Sequence, residues 1–313
     1  SGNTTGYYNT SIGACANYAV TTAGSTVAIG YKANSSTTTG VQNTVIGTEA
    51  MCTNTTGGYN VAVGYQALKT NLDTHYNTAV GYQALVSNTG SSNTAVGFNS
   101  GYFNTTGNSN TSIGNKAGHC TITGDSNTAV GSNSFWRNRT GASNTAVGAS
   151  SLYSNVSGCY SIAVGANSLY SNISGNNNIG VGWSSLYSNT SAHDNVGMGF
   201  RALCKNDGHA NTALGSYAMC ANTIGCYNVA VGCAALADNT TGYCNVALGR
   251  HALTDNTTGY CNIAVGPATM GSNTTGYDNT AVGSRALNSN TEGNQNTAIG
   301  DQALTKNIDT DLN

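Results

Sequence analysis

Asn60-Val61-Ala62-Val63-Gly64-Tyr65-Gln66-Ala67-Leu68 recurs in the chain, with Thr in place of its first Val, as Asn77-Thr78-Ala79-Val80-Gly81-Tyr82-Gln83-Ala84-Leu85. Aligned on the glycine in the middle of each block, the pattern occurs eighteen times, from Gly13, Gly30 and Gly47 through to Gly283 and Gly300. Successive glycines stand seventeen positions apart, and sixteen apart in two places. Both missing residues fall in a loop-like stretch, before Gly90 and before Gly208, where a deletion is absorbed most easily. A repeat this regular overrides the two globular domains that a length of 313 residues would suggest.

The three residues before each glycine carry the fold. The first, as in Val61, Thr78 and Ile162, is β-branched in all eighteen copies, and the third is always Ile, Val, Leu or Met. Between them stands Ala, Ser or Gly, except in the third copy, where Val45 intrudes. Large residues on one side and small ones on the other, with period two, predict a strand and exclude a helix. A second short strand is predicted over Tyr65-Gln66-Ala67-Leu68 and its equivalents, such as Ser284-Arg285-Ala286-Leu287, with the glycine bending the chain between the two. Asn54-Thr55-Thr56-Gly57 and Asn273-Thr274-Thr275-Gly276 carry turn chemistry.

The fold class is therefore all-β: a parallel β-solenoid, or β-roll, of eighteen coils of about 17 residues, two short strands per coil, forming a single tandem-repeat domain over residues 1–313. Coils stacked about 4.8 Å apart would make a rod on the order of 80 to 90 Å long. Identical residues would then lie above one another. Asn60, Asn77 and Asn93, and likewise Asn71, Asn88 and Asn104, would form amide ladders, and Tyr153, Tyr170 and Tyr187 a short aromatic one.

The Asn-Thr-Ala-Val-Gly-x-x-Ala core, present along essentially the whole chain, resembles the YadA-type head repeats of trimeric autotransporter adhesins, also found in phage tail-fibre-like proteins. The resemblance implies a β-roll whose small residues, here Ala79, Ala95 and Ser112, fill each coil, while Val80, Val96 and Ile113 face partner chains at a threefold axis. The repeat is longer than is typical of that family, and Thr replaces the first aliphatic in ten coils, including Thr10, Thr44 and Thr280. The residues alone equally allow the reverse arrangement, with the aliphatic side chains inside a monomeric rod.

Charge excludes several functions. Lys and Arg number 10 and Asp and Glu 12, for a net charge of -2, so there is no basic stripe for nucleic acid and no polybasic membrane anchor. No sustained apolar run encodes a transmembrane helix, so direct membrane insertion is not expected. No cofactor or metal site is expected either: there is no Cys-x-x-Cys pair, and His75, His119, His193, His209 and His251 lie on different coils, three of them in turns where a lone histidine is ordinarily just solvated. No catalytic residues stand out. Asp238 and Asp255 share a phase on neighbouring coils and read as surface positions.

Ten cysteines are present. Cys204 and Cys220 occupy one phase in adjacent coils, as do Cys244 and Cys261, so both pairs are candidate disulfide staples, with unpaired thiols in small pockets as the alternative. Sequons recur at the turn asparagine: Asn54, Asn104, Asn138, Asn155, Asn172, Asn189, Asn239, Asn256 and Asn273 are each either glycosylation sites or members of an inward ladder. Neighbours about 4.8 Å apart could not all carry bulky glycans.

Residues 1–9 and 305–313 fall at the same phase of the repeat, with no capping helix or charged strand, so both ends are expected to be uncapped. Such ends suit either an excerpt of a longer repeat protein or head-to-tail stacking. The expected function is that of an extracellular structural fibre or adhesin stalk on a cell or virion surface, not an enzyme. Its expected partners are copies of itself, as a homotrimer or a head-to-tail filament, and surface glycans. A viral or phage tail-fibre segment is the alternative, and an ice-binding protein a third, disfavoured because the Thr row is broken by Val or Ile in eight coils.

Overall fold

The computed structural model describes residues 3–307. It is all-β, a parallel β-solenoid whose coils follow the sequence repeat, with eighteen strands and no helix among the described residues. The chain divides into two compact units, Ser1–Cys159 and Tyr160–Asn313. Each holds nine three-residue strands: β1 (Thr10–Ile12) to β9 (Thr145–Val147) in the first, β10 (Ile162–Val164) to β18 (Thr297–Ile299) in the second. The ends expected to lack caps include residues 1–2 and 308–313, which lie outside the described residues.

Within each unit every strand pairs in parallel, in register, with its successor. Val61, Ala62 and Val63 lie against Thr78, Ala79 and Val80, and in the second unit Val246, Ala247 and Leu248 lie against Ile263, Ala264 and Val265. Stacking puts chemically equivalent residues together, so a side chain that fits once fits repeatedly. The central alanine points inward and is fully buried, as at Ala62, Ala79 and Ala247. The flanking aliphatic residues point outward: Ile113 is 40% exposed and Met198 42%. The open choice between the two faces is thereby decided in favour of small residues inside.

Among the described residues the second predicted strand is absent. Over Tyr65-Gln66-Ala67-Leu68 the chain turns, because alternate residues take left-handed backbone angles: φ is +54° at Gln66 and +51° at Leu68. Positive φ at every second residue destroys the pleat of a strand. A non-glycine residue in this region costs about 1 kcal/mol or more. The cost is met locally: the Leu68 N–H donates to Ala84 O of the next coil at 3.0 Å, the Gln66 N–H to Thr48 O of the previous coil at 3.0 Å, and the Leu68 side chain is completely buried. Burying a leucine contributes roughly 1.5–3 kcal/mol. A left-handed leucine with a completely buried side chain recurs at Leu152, Leu169, Leu186, Leu236 and Leu253.

The glycine before this turn has two reasons to be glycine. Gly64 has φ +137°, and a Cβ there would stand 2.3 Å from Gly81 O of the next coil. Coils can approach to strand spacing only if that position is bare.

Two asparagine columns complete the interior. In the column preceding each strand, the amide oxygen of one Asn accepts the backbone N–H of the next: Asn228 Oδ1 from Asn245 N at 2.9 Å, and Asn245 Oδ1 from Asn262 N at 3.0 Å. The amide nitrogen donates forward to a turn carbonyl, as Asn245 Nδ2 does to Gly259 O at 2.8 Å. In the turn column the amides bond directly, Asn256 Nδ2 to Asn239 Oδ1 at 2.8 Å and Asn273 Nδ2 to Asn256 Oδ1 at 2.9 Å, while each also closes its own turn onto the glycine three residues on. The threonine after the turn asparagine adds a third column, with Thr240 Oγ1 donating to Thr257 O and Thr257 Oγ1 to Thr274 O.

Candidate functional site

These turn asparagines, Asn138 among them, are in the interior, none more than 1% exposed. Asn54, Asn104, Asn155, Asn172, Asn189, Asn239, Asn256 and Asn273 are therefore ladder residues, out of reach of a glycan in the folded chain. Asn54 shows how the column adapts, its Nδ2 donating to Thr37 Oγ1 where the preceding coil has threonine in place of asparagine.

All ten cysteines are free thiols in the structure. Cys204 and Cys220 are nevertheless brought together, their sulfurs 2.9 Å apart. Cys244 and Cys261 are both exposed, and burial followed by the neighbouring Cys244 pushes the Cys261 thiol upward. Neither staple is closed. The carboxyl of Asp255 is likewise raised, by burial first and then by Asp238 on the neighbouring coil.

The turn histidines have a role that sequence reading missed. Nδ1 of His75 accepts the Gly58 N–H at 2.9 Å, Nδ1 of His193 the Asn176 N–H at 2.9 Å, and Nδ1 of His209 the His193 N–H at 3.1 Å. Cys226 Sγ, Asp125 Oδ1 and Asn294 Oδ1 do the same at this phase in other coils. The apparent scatter of His, Cys, Asp and Asn is one requirement, a side-chain acceptor for the preceding coil's N–H. Reading down that column instead of along the chain would have found it.

The outer surface carries stacks of rings. In the first unit Tyr102, His119, Trp136 and Tyr153 stack in succession, and Tyr65, Tyr82 and Phe98 form a second column. In the second unit Tyr243, Tyr260 and Tyr277 lie almost parallel at 4.9 and 4.8 Å. Of the expected Tyr153–Tyr170–Tyr187 ladder, Tyr170 and Tyr187 stack at 5.1 Å within the second unit.

Both tryptophans of the chain line open grooves that also hold basic side chains. In the first unit a groove of about 380 Å³ is bounded by Trp136, Arg137, Arg139, Cys120 and Val156, with Lys116 Nζ 5.3 Å from the Trp136 ring. Here His119 and Tyr153 stack with the indole from the two adjoining coils. In the second unit a groove of about 430 Å³ runs beside Trp183, Tyr187, Arg201 and Lys205, with Ser184 and Ser188 on its wall. Trp183 stacks on Phe200 at 5.0 Å, and the Arg201 guanidinium sits 5.5 Å from the Trp183 ring. The basic, aromatic character of these two walls is the most chemically distinctive feature of the surface.

The chain matches no protein-family model and no curated protein sequence. The chemistry of its surface therefore rests on its own residues.

Proposed function

We propose that this chain is a structural fibre segment of the adhesin-stalk kind, exposed outside a cell or on a particle, and that it has no enzymatic role. The observation that carries the reading is the redundancy of coil-to-coil bonding. Each junction within a unit is held by a strand pair and by turn backbone bonds, and most are held by amide columns as well, so stability accrues by neighbour-to-neighbour stacking and length is gained one coil at a time. Such backbone pairing leaves little for a protease to open.

Self-association belongs to the proposal. The outward aliphatic residues of successive strands, such as Val96, Ile113, Met198 and Val231, are between 36% and 42% exposed and repeat at every coil. Within each unit an apolar strip of this kind is covered most simply by the same strip on other copies, which supports a side-by-side homotrimer. Electron microscopy of purified native material, with mass measured by light scattering, tests it. Assemblies of three copies with a threefold cross-section are expected. Long filaments of single-chain width would replace side-by-side packing with head-to-tail stacking, and a dispersed monomer would sink both.

One observation favours a second reading. Thr78, Thr94, Thr111, Thr128 and Thr145 pair in register on the outer face of five consecutive strands, a regular hydroxyl row able to order water. Thermal hysteresis of the purified protein tests ice binding directly, and its absence removes this reading.

A further inference from the structure

We propose that the groove beside Trp183 in the second unit binds an anionic pyranose, the sugar ring lying on the indole and its acidic group held between Arg201 and Lys205. The inference rests on the adhesin reading and names the ligand class for it. Three features of the groove converge on this chemistry.

The first is charge. The chain has only ten basic residues and is close to neutral overall, yet Lys116, Arg137 and Arg139 surround one tryptophan and Arg201 and Lys205 the other. Among the described residues no carboxylate lines either groove, and the one acidic group on the wall of the Trp183 groove is the Cys204 thiol, a single group against two basic side chains. Arg201 and Lys205 belong to one coil, four residues apart, and both border the groove, so an acidic group entering it meets a guanidinium and an ammonium together.

The second is the aromatic platform. Trp183 is 44% exposed, and Phe200 of the next coil stacks on one side of it. The same phase of the preceding coil is Ala166, which carries no ring. Trp136 differs, since His119 and Tyr153 both stack with it. The second-unit groove thus offers an indole surface to a ligand, and the C–H face of a pyranose complements it.

The third is the hydroxyl and amide lining. Ser184, Ser188 and Asn167 border the same groove and supply donors and acceptors for ring hydroxyls. An open groove of about 430 Å³ suits one or two sugar rings of a longer chain.

The test is titration calorimetry of the full chain with three oligosaccharides of equal length, namely a galacturonate, a sulfated galactan and a neutral galactan, and with a single-stranded oligonucleotide as a polyanion control. The galacturonate or the sulfated galactan is expected to bind at least tenfold tighter than the neutral one, and the preference between them identifies the acidic group as carboxylate or sulfate. Trp183→Ala and the double variant Arg201→Gln/Lys205→Gln are each expected to weaken binding at least tenfold with the far-UV circular dichroism unchanged, and the double variant, at two exposed side chains, is expected to keep the melting temperature as well.

Binding that survives both variants, or no binding to either acidic sugar, overturns the proposal. So does equal affinity for the oligonucleotide, which would mark the groove as a general polyanion surface. Electron microscopy of the same preparations separates the two levels. Intact assemblies that fail to bind sink the groove alone, whereas sugar binding by a dispersed monomer sinks the fibre reading alone.

Discussion

The sulfurs of Cys204 and Cys220 lie 2.9 Å apart on adjacent coils. That is longer than a disulfide, about 2.05 Å, and close enough that bond formation needs little movement. The hydrogen bond between the two is the main cause that holds the Cys204 thiol down at about 7, against the opposing effect of burial, with Arg201 and Lys205 adding positive charge; its partner Cys220 is pushed up.

Oxidised glutathione is expected to close this pair selectively. The Cys204 thiolate attacks the added disulfide and releases one glutathione, then Cys220 gives up its proton and displaces the second. Intact mass should fall by two hydrogens, with peptide mapping placing the bond at Cys204–Cys220. Iodoacetamide should alkylate Cys204 before Cys220, with a rate that rises through a pH of about 7. Alkylation of Cys220 first would contradict the assignment.

Thr121→Asn is expected to stabilise the first unit by about 1 kcal/mol. Thr121 is buried where the turn column calls for asparagine, and Asn104 Oδ1 on the preceding coil has no hydrogen-bond partner. A new amide would donate to Asn104 Oδ1 and accept from Asn138 Nδ2, which bonds Gly141 O. The rise in urea midpoint should disappear when Asn104→Ala is combined with it.

Asn245→Ala is expected to cost about 3 kcal/mol or more. It strips the acceptor from the Asn262 N–H and a donor from Gly259 O in a fully buried site. Asn245→Asp should be worse at neutral pH, because the carboxylate sets a charge in the interior and offers nothing to Gly259 O. Denaturant melts compare the two, and a milder effect for Asp would contradict the direction of these bonds.

Gly64→Ala is expected to destabilise the first unit by about 3 kcal/mol or more, combining an unfavourable backbone region with a Cβ 2.3 Å from Gly81 O. Hydrogen exchange should show the loss at the strand pairs on either side of Gly64.

Acid is expected to weaken the first unit through His119. Burial and then Lys116 lower its imidazole from the ordinary value, about 6.5, and it lies stacked between Tyr102 and Trp136. The unfolded chain therefore takes up its proton first. Stability should fall as the pH drops below about 6.5 and level off once the folded imidazole is also protonated. His119→Phe should remove that part of the pH profile, as measured by melting temperature against pH.

Much of this was readable in advance. The fixed period of the repeat, the Val61-Ala62-Val63 alternation and the bare glycine predicted a parallel solenoid, and the recurrence of Asn60 and Asn71 predicted two amide ladders. Tyr65-Gln66-Ala67-Leu68 misled because a coil of 17 residues has room for a second strand there, whereas Leu68 adopts a left-handed angle that residue preference argues against. His75 and His193 misled because their purpose lies one full coil back along the chain, at Gly58 and Asn176.

The sequence by itself determined the coil and its parallel stacking, since a fixed period of alternating large and small residues has one in-register solution. It also determined which residues meet, because equal phase means adjacency. Only the tertiary structure decided which way they face. Ala62 and Leu68 enter the interior because left-handed turns close each coil tightly, leaving room for a methyl at the strand centre and an isobutyl at the turn, so that the bulkier Val61 and Val63 must point outward. The same closure draws Asn54 and Asn256 inside, turning apparent glycan acceptors into the hydrogen-bonded columns that hold the coils together.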